Sequence, residues 1–156
     1  MTTKPLRRTP LSKQRTFSAK AHEVDHKWWV IDAKDKVVGR VAVVAADLLR
    51  GKNKAIFTPH TDAGDFVVIV NADKARFTGR KETDKVYTSF SGYVGGHKST
   101  SPQRMRQKHP ERILQKAIHG MVPHNALGRQ LLTKLHVYAG ESHPHVAQQP
   151  QPCALV

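Results

Sequence analysis

Cysteine is almost absent from this chain of 156 residues: Cys153, near the end, is the only one. No disulfide can form within the chain, so a small scaffold held together by such bonds in an oxidising compartment is excluded. Acidic residues are also scarce, with twelve Asp and Glu against twenty-six Lys and Arg, a net charge of +14. Long apolar runs are missing. Runs such as Phe66-Val67-Val68-Ile69-Val70 are short, far below the roughly 18 residues that a spanning helix needs. No apolar stretch follows the basic N-terminus in the manner of a secretory signal. Three chemical fingerprints are missing as well: the phosphate loop GxxxxGK[ST], GxGxxG after a strand, and the GxSxG nucleophile turn. His143 and His145 flank Pro144, but no Cys or carboxylate stands at zinc-ligand spacing from them. The expectations are no catalytic residue, no metal, no cofactor, no small-molecule substrate and no membrane.

What is present is positive charge on a chain long enough to bury a core of its own. A folded body with this excess repels itself and attracts polyanions, of which nucleic acid fits best. The charge is unevenly spread. Residues 1–22 hold six cations (Lys4, Arg7, Arg8, Lys13, Arg15, Lys20), no acid and little apolar content, which reads as a disordered basic arm. An organellar transit peptide has a similar composition and stays open as the alternative. After Lys134 there is no Lys or Arg, and residues 141–156 form a polar tail with Pro144, Pro150 and Pro152.

Between the two, residues 23–140 read as one α/β domain. Trp28 to Asp32 is aromatic and β-branched, hence strand-like. From Gly39 to Arg50, Val41, Val44, Ala45, Leu48 and Leu49 fall on one helical stripe, and Gly51 is placed to end the helix. The uninterrupted apolar run Phe66 to Val70 suits a strand covered on both faces. Ala75 to Thr78 is expected as a short partner strand, and Lys85 to Phe90 as a weaker one. Pro110 to Met121 is expected as a helix burying Ile113, Leu114, Ala117, Ile118 and Met121. Pro123 stops it, Asn125 can cap a further helix carrying Leu127, Leu131 and Leu132, and Leu135 to Tyr138 returns as a strand. Strands alternating with helices predict a three-layer α/β/α domain around a mostly parallel sheet of about four strands.

On the helix from Pro110 to Met121, Arg112, Lys116 and His119 stack almost opposite the apolar stripe. An ordinary solvated face is the bland explanation, but such faces mix signs. From His97 to His119 the cations are Lys98, Arg104, Arg106, Lys108, Arg112 and Lys116, against Glu111 alone, as expected of a surface that meets phosphates. Ser91 to Gly96 is a glycine-rich loop with a tyrosine inside it. Gly92, Gly95 and Gly96 would let backbone approach phosphate or sugar, and Tyr93 could stack on an unpaired base, although a plain turn explains the glycines equally well. Lys52 and Lys54 beside Gly51, and Arg80 and Lys81 beside Gly79, repeat glycine next to cations. Arg40, His60, His97, His124 and Arg129 complete the expected RNA-contacting set. Asp62 and Asp65 could pair as carboxylates, but a turn into the Phe66 strand accounts for both.

Read in order, these segments resemble the bacterial large-subunit L13 family of ribosomal proteins. The resemblance is carried by Trp29-Val30-Ile31-Asp32-Ala33, Gly39-Arg40-Val41-Ala42, Leu49-Arg50-Gly51-Lys52, Thr58-Pro59-His60, and Gly64-Asp65 through Val70-Asn71-Ala72. It continues through Thr78-Gly79-Arg80-Lys81, Ser91-Gly92-Tyr93, Gly120-Met121-Val122-Pro123, Asn125-Ala126-Leu127-Gly128-Arg129, Val137-Tyr138-Ala139-Gly140 and His143-Pro144-His145. The resemblance implies an α/β/α domain that binds large-subunit (23S-type) rRNA, enters assembly early and neighbours other ribosomal proteins. It also implies the cytoplasm of a bacterium, or of an organelle descended from one. The arm before Thr16 is longer than the family usually has, and Gln148 to Val156 departs from its pattern. Two other readings stand beside this one: a regulator of messenger RNA, and a nucleotide-using enzyme on a Rossmann-like sheet. The second lacks the glycine loop it needs, because Asp35-Lys36-Val37-Val38-Gly39 follows the first strand.

Overall fold

The computed structural model of the chain describes residues 17–153. Of the arm expected to be disordered over residues 1–22, residues 1–16 lie outside the described residues. From Ser18, whose hydroxyl meets His60, the chain is laid on the body. Ala19 is buried, its N–H donates to Thr58 Oγ1 at 3.2 Å, and its carbonyl accepts from Thr61 Oγ1 at 3.2 Å.

Strand β1 (Trp28–Asp32) leads into helix α1 (Val38–Arg50), which crosses over to β2 (Phe66–Val70). α1 starts without a side-chain cap and ends where Gly51 turns left-handed, at φ 74°. There Lys52 N–H returns to the Asp47 carbonyl at 3.1 Å, closing the last turn. The loop after it packs hard against the helix end, since a Cβ on Gly64 would sit 1.6 Å from the Leu49 carbonyl oxygen.

β1 and β2 pair in parallel from Trp28 opposite Phe66 to Asp32 opposite Val70, and β5 (Leu135–Val137) joins β2 in parallel, Val67 opposite Leu135. The fourth strand is β6 (Gln151–Pro152), which lies parallel to β1 with Trp29 opposite Gln151. The order β5-β2-β1-β6 makes the expected parallel α/β sheet of four strands. Its last member comes from the segment that composition marks as an extended tail.

Side-chain alternation gives the sheet two faces. Ile31, Val67, Ile69 and Val137 form one continuous core with Val41, Ala45 and Leu49 of α1 and with Ile113, Leu114 and Ile118 of α4 (Glu111–His119). Against the other face, the layer over Trp28, Phe66 and His136 is made of rings. Trp28 stacks on Phe66 at 4.4 Å and on His136 at 5.8 Å, and His145 from the tail lies 4.5 Å from His136.

Several elements differ from the sequence expectations. Ala75 to Thr78 is not a strand; only an isolated bridge joins Arg76 to Val37. A short helix α2 (Lys81–Asp84) follows. The strand expected in Lys85 to Phe90 is β3 (Tyr87–Phe90), and it pairs antiparallel with β4 (His97–Thr100) outside the main sheet. Ser91 to Gly96 is the turn between them. Helix α3 (Pro102–Lys108) has too little apolar content to show a stripe. Ser101 marks its start by accepting Arg104 N–H, with Pro102 in the first turn. α4 is shorter than expected: Pro110 is its N-cap and Gly120 its C-cap. Met121 therefore leaves the helical period, and it is 41% exposed instead of joining the apolar face. Asn125 does cap α5 (Ala126–Thr133), accepting Gly128 N–H at 2.8 Å.

Candidate nucleic-acid interface

The expected RNA-contacting residues fall into four groups. The first surrounds α4. Arg112, Lys116 and His119 are all exposed, on the side away from buried Ile113, Leu114 and Ile118. β3 runs alongside, and Tyr87 receives the ammonium groups of Lys116 and Lys85, each 5.2 Å from its ring centre. Tyr87 and Lys116 form a shared wall between two cavities. One, of about 370 Å³, is lined among others by Gly39, Thr78, Lys81, Lys85 and Lys116. The other, of about 430 Å³, is lined by Tyr87, Ser89, Thr100, Met105, Arg112, Gln115 and Lys116. Burial, then the charge of Glu82, raises the Tyr87 hydroxyl above its ordinary value, with Arg106 pulling the other way. Tyr87 thus stays a phenol that can donate a hydrogen bond.

The second group is the β3–β4 hairpin. Gly92 (φ 90°) and Gly95 (φ 74°) make its turn, closed by Gly96 N–H donating to the Tyr93 carbonyl at 2.9 Å. Phe90, Tyr93 and Val94 stand out at 63, 79 and 107% exposure, beside exposed His97 and Lys98. This apolar tip beside Lys98 joins neither core cluster of the described residues. The third group is scattered. Arg40 is exposed in the first turn of α1, Arg80 in the turn before α2, Arg104 and Lys108 on α3, and Arg129 on α5. His124 meets His119 edge-on at 5.0 Å.

The fourth group is engaged within the protein. Arg106 donates through Nη1 to the carbonyls of Asp73 (2.7 Å) and Ala75 (2.5 Å), and through Nε and Nη2 to Glu82 (both 3.3 Å). That clamp ties α3 to α2 and to the turn after β2. Lys54 is only 15% exposed; it donates to the Asp25 carbonyl at 2.6 Å and pairs with Asp65. Lys52 pairs with Asp47 at 3.0 Å and stays half exposed. His60 Nε2 meets Ser18 Oγ at 3.2 Å.

Asp62 and Asp65 are not a carboxylate pair. Asp62 accepts Gly64 N–H, as a turn residue does, and holds Lys134, while Asp65 is a buried anchor. Residues missed from the sequence are Lys85 and Tyr87. Lys85 could have been found by continuing the cation count past Arg80 and Lys81; the role of Tyr87 depends on α4 being beside it. Among the described residues no group of three or more His, Cys, Asp or Glu could hold a metal ion, and no helix is long and apolar enough to cross a membrane.

Fold and surface together define a small α/β domain with a cationic face built on α4, β3 and α2. The sequence matches the family model described as "Ribosomal protein L13" over residues 26–144. It is similar to the large ribosomal subunit protein uL13 of Akkermansia muciniphila, 64% identical over 141 residues, covering 90% of this chain and 99% of that protein. The proteins of the same name from Methylacidiphilum infernorum and Halorhodospira halophila are each 55% identical, with the same coverage. The chain belongs to the ribosomal protein L13 family. Its relatives are ribosomal proteins and not enzymes, so the Rossmann-like enzyme reading falls.

Proposed function

We propose that this protein is a structural constituent of the large ribosomal subunit whose cationic face holds folded large-subunit rRNA. The observation that carries the proposal is the match to large-subunit proteins at 55–64% identity across 99% of their length. The +14 charge and the exposed cations Lys81, Lys98, Arg112 and Lys116 supply the physical means. Each phosphate they neutralise releases counterions, which binds strongly while specifying little sequence. Folded rRNA then supplies the specificity through its shape and unpaired bases. The hairpin tip with Tyr93, Gly92, Gly95 and Gly96 reaches outward for such bases. Neighbouring ribosomal proteins, early entry into assembly and residence in the bacterial cytoplasm complete the proposal.

The test is mass spectrometry of large subunits washed in high salt from cells expressing a tagged chain. One copy per particle is expected. Loss of the chain in the wash while its neighbours are retained refutes stable residence. Early entry is tested by reconstitution: leaving the chain out should stall particles before the later proteins join.

A further inference from the structure

The two cavities that share Tyr87 and Lys116 carry more than a basic surface does. The first brings together three lysines from separate places, Lys81 on α2, Lys85 after it and Lys116 on α4, and neither lining contains an Asp or Glu. Of the two acids on α2, Glu82 is held by Arg106 and Asp84 accepts from the Thr83 hydroxyl. Converging like charges repel, and among the described residues no carboxylate forms an ion pair with Lys81, Lys85 or Lys116. Lys85 and Lys116 already share one aromatic ring. Gly39 leaves the floor of this cavity open, and a Cβ there would meet nothing within 4 Å. Its lack of a side chain serves neither packing nor a left-handed turn, so it leaves room. The second cavity is different in kind. Ser89, Thr100 and Gln115 offer donors and acceptors, Met105 an apolar wall, and Arg112 a planar cation.

We infer that these cavities are a subsite for one unpaired rRNA nucleotide, with its backbone phosphate among Lys81, Lys85 and Lys116 and its base beside Met105, Gln115 and Arg112. This rests on the rRNA-binding reading and adds the place and the chemical class of the contact. A phosphate answers three ammonium groups, and a base edge answers an amide and two hydroxyls. An acidic peptide would satisfy the lysines but would leave the second cavity without a matched partner.

The experiment uses the full chain and two probes: inorganic phosphate, and a ten-nucleotide single-stranded RNA with an abasic version of the same charge. Amide NMR should show Gly39 and Arg40 shifting saturably with phosphate, and the shift should vanish in Lys81→Ala/Lys85→Ala and weaken in Gly39→Ala. The Gly39→Ala variant should melt no lower than the parent, since alanine is the better helix residue and has space. The lysine pair should bind the RNA roughly tenfold more weakly and lower the salt slope by up to about 0.7 per phosphate lost. The charge-matched control Lys34→Ala/Lys36→Ala should change neither. The abasic RNA should bind more weakly than the complete one. Equal losses in the control pair, equal binding of the abasic RNA, or equal binding of polyglutamate of the same charge each overturn the inference. Titration of the parent with whole large-subunit rRNA separates the two levels. No binding there refutes the broader proposal, whereas unchanged affinity and slope in the lysine variant sink the subsite alone.

Discussion

Replacing Asp65 with alanine tests the best-connected buried carboxylate of the described fold. Asp65 is 1% exposed and accepts from Lys27 N–H at 2.9 Å, from Trp29 Nε1 at 3.0 Å and from the Lys54 ammonium. It fixes the entry to β1 against the entry to β2, and its own N–H donates to the Leu48 carbonyl at the end of α1. Removing one partner of a buried ion pair typically costs about 3–5 kcal/mol, because the other charge stays behind without compensation. Here the indole N–H and a backbone N–H lose their acceptor too, so the upper part of that range is expected. For a domain of this size each kcal/mol lowers the melting temperature by roughly 2–4 °C, so a cost of about 4–5 kcal/mol places the fall at about 8–20 °C. Asp65→Asn keeps one acceptor oxygen and should lose less. Asp65→Ala combined with Lys54→Met should recover part of the loss, since no ammonium is then left unpaired. Urea unfolding followed by tryptophan fluorescence reads all three, with Trp29 as the local reporter. If Asp65→Ala costs under about 1 kcal/mol, the buried-charge reasoning is wrong.

Ile118→Ala should cost about 2–5 kcal/mol, since Ile118 is fully buried and a cavity remains. Arg112→Ala with Lys116→Ala should leave the melt nearly unchanged but weaken RNA binding and flatten its salt dependence; an unfolded double variant would reverse that assignment of faces. Gly64→Ala drives a methyl into the Leu49 carbonyl, and should cost at least the upper part of about 1–3 kcal/mol by thermal melt; a neutral result would mean that the loop moves freely. Burial, then the neighbouring His145, holds the His136 imidazole below its ordinary 6.5. Between that lowered value and 6.5 the unfolded chain binds more protons, so this contribution is complete above 6.5 and is lost as pH falls through the folded value. Urea midpoints from pH 8 to 5 should fall less steeply in His136→Asn than in the parent, and equal slopes would contradict the assignment.

Local pattern in the sequence determined the elements whose signals need only near neighbours. The 3.6-residue stripe of α1 and its stop at Gly51, the continuous apolar run of β2 and the cap at Asn125 are all as expected. So was the burial of Ile113, Leu114 and Ile118. The order of the motifs made the family legible too. What depends on pairing between distant segments was decided only by the tertiary structure. Gln151 and Pro152 read as tail because two residues carry no strand periodicity, and β1 offers them an edge. β3 was expected only as a weak strand, and β4 is polar and carries no alternation, so their antiparallel pairing outside the main sheet was not legible. Among the expected RNA-contacting residues, Arg106 and Lys54 look the same in sequence as Arg112 and Lys116. The fold turns the first two inward onto carbonyls and carboxylates, and leaves the other two facing out. Charge is a property of composition, whereas availability depends on which backbone carbonyls and carboxylates the fold brings within reach. The same holds for the two cavities: Gly39, Tyr87 and Lys116 lie far apart along the chain, and only the packing of α4 against α1 and β3 makes them neighbours.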